Sequence, residues 1–140
     1  MKLDVALAVA QGVLAEGQTR HFAPLTVAVL DAGGHTVVLL RSDGSSLLRS
    51  QIATGKAYGV LGLGFGGREL AARAAKMPAF FDALIELSDG RMVPVPGGVL
   101  VRSADGALLG AVGVSGDTSD NDEICALAAI EATGLVADAG

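Results

Sequence analysis

Lys56 is the residue whose setting most invites chemistry. It sits in "SSLLRSQIATGKAYGV", where Leu48, Ile52 and Lys56 fall in one i, i+4 row of a helix. An ammonium on or beside an apolar face has two fates. It can snorkel into water, or it can point into a pocket, where desolvation lowers its pKa and fits it to act as a base, a Schiff-base amine or an anion anchor. Arg41, at a strand end beside Asp43, is a candidate neighbour, with a surface ion pair as its plainer role. "PVPGG" supplies two prolines that set an extended approach, while Gly97 and Gly98 expose backbone N–H groups. Such bare backbone can cradle a carboxylate or carbonyl oxygen, and a tight turn explains it equally well.

The densest acidic cluster is Asp117, Asp120, Asp122 and Glu123. Acids in a first helical turn answer the exposed N–H groups, with Thr118 or Ser119 as N-cap, and Asp122 or Glu123 could also meet a ligand or a second subunit. Their spacing does not fit a calcium loop, and no metal site is expected. His21 and His35 are the nitrogen ligands on offer to heme or a metal, and each also reads as an exposed turn residue. "GLGFGG" follows a helix rather than a strand, which removes the context of a dinucleotide site. "GVSGD" lacks the spacing of a nucleophile elbow. Cys125 reads as a small core residue and Tyr58 as a core-capping one with a wet hydroxyl.

These residues must be carried by one domain, because 140 residues leave no room for a second. The chain is 51% hydrophobic and 18% charged, which fits a well-buried domain or a subunit that hides surface in an oligomer. A net charge of −5 repels phosphate backbones and anionic lipid, so nucleic acid and membrane are not expected partners. A single cysteine fits a reducing compartment. Asp4 and Gln11 interrupt what would otherwise imitate a signal peptide, and a cytoplasmic protein is expected.

The first segment predicts a helix ending near Gly17, with a stripe of Leu3, Leu7, Ala10 and Leu14 widened by Val9 and Val13. "LTVAVL" and "TVVLLR" around "DAGGH" predict an antiparallel hairpin, apolar enough to expect cover on both faces. A helix carrying Lys56 follows, then a loop at "LGLGFGG", then two short helices, the second starting at Pro78. "GVLVRS" and "ALLGAVGV" around "ADG" predict a second hairpin. The remainder predicts one helix, with Ile124, Leu127, Ala128, Ile130 and Leu135 on its stripe. The class is α+β, with a mostly antiparallel sheet of about five strands flanked by helices. The loops "PVPGG" and "VSGDTSDNDE" lie at one end of the second hairpin, which raises the question of whether Lys56 reaches them.

The motifs "TVAVLDAGGHTVVLLRSDGS", "IATGKA", "VPVPGGVLVRSADGALLGAVGVSGDTSDNDE" and "CALAAIEA" resemble the GlcG/HbpS-like family over nearly the whole chain. That resemblance implies a single profilin-like α+β domain spanning residues 1–140, assembled into dimers or larger homo-oligomers. It also matches Lys56, Gly97, Gly98, Ser115, Gly116 and Asp122 to shared family positions, and it places His21 in a region where family heme ligands occur. Two functions follow. One is an oligomeric small-ligand-binding protein, heme among its ligands, with a pocket between helix and sheet. The other is a small cofactor-independent isomerase, tautomerase or lyase acting on a carbonyl or carboxylate metabolite. There Lys56 would be the base, and the Gly97/Gly98 and Ser115/Gly116 backbones would stabilise an oxyanion.

Overall fold

Two β-branched runs, each doubling back at a glycine turn, make the framework. The computed structural model describes residues 1–140 and orders them as α1 (Leu3–Thr19), β1 (Thr26–Asp31), β2 (Thr36–Arg41), α2 (Arg49–Leu63) and α3 (Gly67–Lys76). There follow α4 (Pro78–Leu87), β3 (Gly98–Arg102), β4 (Leu108–Ser115), α5 (Ser119–Glu131) and β5 (Val136–Asp138). The hairpins β1–β2 and β3–β4 join through β1 and β4, giving one sheet in the order β2-β1-β4-β3-β5. Every pairing is antiparallel, as the two turn signals predict.

Strand residues alternate between faces, and here the alternation sorts by size. Val27, Val29, Val99, Val101, Val112 and Val114 face one side and pack against the small residues of α1 and α5, among them Ala6, Ala10, Ala126 and Ala129. Ala28 and Ala111, with Leu30 and Leu100, face the other side and meet Ala53, Ala57 and Val60 of α2, backed by Leu70, Phe81 and Met92. The second face is shallow enough for α2 to lie almost on the backbone. Gly98 and Gly113 are register partners beneath it. A Cβ at Gly113 would sit 1.9 Å from the Ala53 carbonyl oxygen, and one at Gly98 would sit 2.6 Å from that of Lys56.

Four expectations need correction. The buried face of α1 is Ala6, Val9, Ala10, Val13 and Gly17, while Leu3 and Leu7 are exposed. Close packing selects the small side, since a Cβ on Gly12 would lie 3.1 Å from the Ala129 Cβ. The expected loop at "LGLGFGG" begins later, because α2 continues through Gly62 to Leu63 and ends at Gly64 in the left-handed conformation (φ 78°). Likewise, the last helix stops at Glu131. Gly134 (φ 79°) turns the chain into a fifth strand on β3, and the buried side of α5 carries Asp122, Cys125, Ala126, Ala129 and Ile130, with Ile124 exposed. Finally, β1 is covered on both faces, but β2 is an edge strand with Thr36, Leu39 and Arg41 exposed.

The glycine contacts predict opposite outcomes for two Gly→Ala changes in urea unfolding. Gly113→Ala should lose roughly 3 kcal/mol or fail to fold, because the added carbon meets backbone rather than a side chain that can move. Gly62→Ala should gain about 0.5–1 kcal/mol, since it lies in α2 with nothing within 4 Å of the added Cβ.

Candidate functional site

One end of the sheet gathers most of the polar residues singled out above. Thr26 opens β1 and pairs with Arg41 at the end of β2 and with Ser115 at the end of β4. Gly97 and Gly98 lead into β3 at the same end, and Gly116 leads from β4 toward α5. A Cβ at Gly116 would lie 2.2 Å from the Pro24 carbonyl oxygen, so this position brings the β4–α5 loop against the α1–β1 link.

Lys56 does reach both loops. Its Nζ donates to Asp122 Oδ2 at 2.7 Å, and a Cβ on Gly97 would lie 2.9 Å from the same nitrogen. Lys56 and Asp122 are 2% and 1% exposed, so neither side chain snorkels to water. The second carboxylate oxygen, Oδ1, accepts the Asp117 N–H at 3.0 Å. Burial pulls the lysine down from its ordinary value and pushes the aspartate up, while each is held toward its charged form by the other. Gly97 (φ 103°) is required here twice over, by its backbone conformation and by the ammonium that fills its missing side chain.

The expected row behind Lys56 differs. Leu48 is exposed, and Lys56 shares its buried side with Ala53, Ala57, Gly59 and Val60. The cation acting on Lys56 is Arg49, which depresses it further, not Arg41. Arg49 Nη1 donates to the fully buried Ser115 Oγ at 3.1 Å. Sequence reasoning missed Arg49, although its spacing of seven from Lys56 puts both on one side of a helix. Arg41 instead donates through Nη2 to the Ser45 carbonyl. The Ser45 hydroxyl pairs with that of Thr26 at 2.7 Å, both buried.

The acidic cluster divides by role. Thr118 caps α5, accepting the Asn121 N–H at 3.2 Å. Asp117 accepts the Ala23 N–H at 2.7 Å, the Thr118 N–H and the Asn121 side-chain amide, which together hold it below its usual value. Arg68 at the start of α3 reaches Asp120 at 2.7 Å and Glu123 at 2.9 Å. Glu123 Oε2 is buried without a partner. Cys125 is buried, and desolvation pushes its thiol up to about 11.

Beside this end lies a cleft of about 440 Å³ between the last turn of α1 and the ends of β1 and β2. Leu14, Phe22, Pro24 and Leu25 give it apolar walls, and Arg41 and Asp43 give it charge. His21 stands next to Phe22, exposed, in the left-handed region (φ 58°) that ends α1. His35 lies at the other end of β1, exposed in the turn, 3.2 Å from Asp31.

The chain is a single α+β domain with a five-stranded antiparallel sheet between two helical layers, an HbpS-like fold. Residues 1–131 match the HbpS-like family, described as haem degrading protein HbpS-like, and the chain belongs to that family. It is 29% identical over 108 residues, 77% of this chain and 75% of the relative, to an uncharacterized 15.0 kDa protein of the dhaT-dhaS intergenic region of Citrobacter freundii. A double mutant of Streptomyces reticuli HbpS superposes with a TM-score of 0.81 at 28% identity, covering 94% of this chain and 86% of that one. The PduOC:heme complex superposes with a TM-score of 0.86 at 24% identity, covering 97% and 96%, a likeness of fold. No helix is long and apolar enough to cross a membrane.

Two outcomes follow. Lys56→Met and Asp122→Leu alone should each cost about 3–5 kcal/mol in denaturant unfolding, whereas the double variant should recover most of that loss, because one unpaired buried charge is worse than none. The native pKa of Asp117 is depressed, so its stabilisation is present above the ordinary value of 3.8 and lost as pH falls through the native value. The gap in melting temperature between the wild type and Asp117→Asn should therefore be open near neutral pH and close in acid.

Proposed function

We propose that this chain binds heme in the cleft at the end of α1, with His21 as the iron ligand and Arg41 as the counterion of a propionate. The observation that carries the reading is adjacency: Arg41 lines the cleft, and His21, the one histidine at this end of the sheet, immediately precedes Phe22 in its wall. The residues suit the group. Leu14, Phe22 and Pro24 offer apolar surface to a macrocycle, and an imidazole with no ring hydrogen bond inside the chain is free to ligate. A guanidinium matches a carboxylate. Bound heme would supply a redox-active iron, and everything else falls to the chain. His21 and Arg41 would hold the group with the apolar walls against it, and the Asp117 bond to the Ala23 N–H holds the cleft's wall to the β4–α5 loop.

The family match supports this reading, and so do the HbpS and PduOC:heme likenesses. Self-association belongs to the same proposal. Leu47 and Leu48 are 82% and 61% exposed near this end, and β2 leaves an open edge with Leu39 outward, surfaces suited to a second copy. Lys56 is sealed against Asp122 and lines none of the clefts described. Its place is therefore to hold the loops, and no specific observation favours the catalytic alternative.

Titrating hemin into the chain should produce a saturable Soret band at one heme per chain. His21→Ala should shift the band and weaken binding about tenfold or more, a loss near 1.4 kcal/mol. Arg41→Ala should weaken binding with the band position kept. An unchanged spectrum and affinity in His21→Ala would overturn the assignment.

A further inference from the structure

A second cleft, of about 400 Å³, shares no residue with the first. It lies on the other side of the molecule, between α2 and the Ser88–Arg91 turn that follows α4. We propose that this cleft binds a small monocarboxylate, whose carboxylate meets the guanidinium of Arg91 held over the ring of Tyr58 while its body lies along Ser50, Thr54 and Gly55 of α2.

The arginine is positioned but its fork is not used up. Its guanidinium carbon sits 4.6 Å from the Tyr58 ring centroid, and Nε donates to the Ser88 carbonyl at 2.9 Å. The terminal nitrogens have only Asp89 nearby, at 4.0 Å and largely exposed. A cation fixed by stacking and one hydrogen bond loses little further entropy when it takes up an anion, and a planar fork recognises a carboxylate with two parallel bonds. The turn itself is locked to the helix. The Gly55 carbonyl accepts the Val93 N–H at 3.1 Å, and a Cβ on Gly55 would lie 2.9 Å from the Arg91 carbonyl oxygen. Val93 Cγ2 would lie 2.7 Å from the same Cβ, so Gly55 lines this floor with backbone alone and has no room for a side chain of its own. Asp89 (φ 54°) and Gly90 (φ 72°) hold successive left-handed conformations that bend the turn back over this floor.

The charge count favours a monoanion. One guanidinium, with a carboxylate 4.0 Å away in a chain of net charge −5, cannot neutralise a dianion. The volume leaves room for a compact body beyond the carboxylate, and the Ser50 and Thr54 hydroxyls and the Gln51 amide can orient its polar substituents.

The test is a proton–nitrogen correlation titration of the full chain, without heme, with sodium benzoate at constant ionic strength and inorganic phosphate as a parallel arm. Benzoate should shift the amides of Thr54, Gly90 and Arg91 along saturable curves. Arg91→Gln should raise the dissociation constant about tenfold, and Tyr58→Leu, which removes the platform but keeps the charge, about threefold. Both variants should keep the wild-type melting temperature within a few degrees, since Arg91 is exposed and Tyr58 only half-buried. Shifts that stay linear, saturation unchanged in Arg91→Gln, or phosphate binding as tightly as benzoate would each overturn the proposal. Because no hemin is present, none of these outcomes bears on the first cleft.

Discussion

The buried contact between Lys56 and Asp122 is where the two halves of this molecule meet. α2 packs on one face of the sheet and α5 on the other, and their side chains close on each other at the sheet's end, beside Gly97. Taking an ammonium and a carboxylate out of water costs several kcal/mol per ion, which their attraction offsets only with good geometry and further hydrogen bonds. A distance of 2.7 Å and the Asp117 N–H on the free oxygen meet that condition. The pair is thus less a source of stability than a demand on geometry, and the loops at this end are arranged to satisfy it.

That demand is met by the absence of side chains. Because Gly98 and Gly113 let α2 touch the sheet backbone, Lys56 begins low enough on its helix to extend past the sheet's end to α5. The Gly97 turn then leaves space for the ammonium, and Gly116 brings the β4–α5 loop against Pro24 and Leu25. Asp117 adds a bond across the same gap to Ala23, which lines the cleft ending α1. The cleft at the end of α1 and the ion pair are therefore two sides of one arrangement of loops.

Much of this was readable from residue types. The glycine turns specified both hairpins, Thr118 was among the predicted caps, and the hairpin placed "PVPGG" beside "VSGDTSDNDE". The errors share a physical cause. Periodicity was read from large apolar residues, whereas α1, α2 and α5 bury alanine, glycine and valine and leave Leu3, Leu48 and Ile124 exposed. Where close approach rather than apolar area decides packing, the smallest residues mark the buried side. Local glycine costs likewise ended α2 too early, because a helix held to the sheet by Ala53, Ala57 and Val60 carries Gly62 through to Leu63. β5 is three residues long and depends on pairing with β3, which no local signal announces. The Arg91–Tyr58 cleft joins residues thirty-three apart and was likewise invisible.

The two clefts follow from the same economy of side chains, one walled by Leu14, Phe22 and Pro24 beside Arg41, the other lined by the Gly55 backbone beneath an arginine stacked on Tyr58. The central claim is that the ion pair couples the two helical layers into one cooperative unit. Native-state hydrogen exchange tests it most directly, because local openings show separate free energies. The account predicts that buried amides of α2 around Ala53–Val60 and of α5 around Cys125–Ile130 open with one common free energy, equal to that of global unfolding. Exchange of α5 through a cheaper, separate opening while α2 stays protected would contradict it.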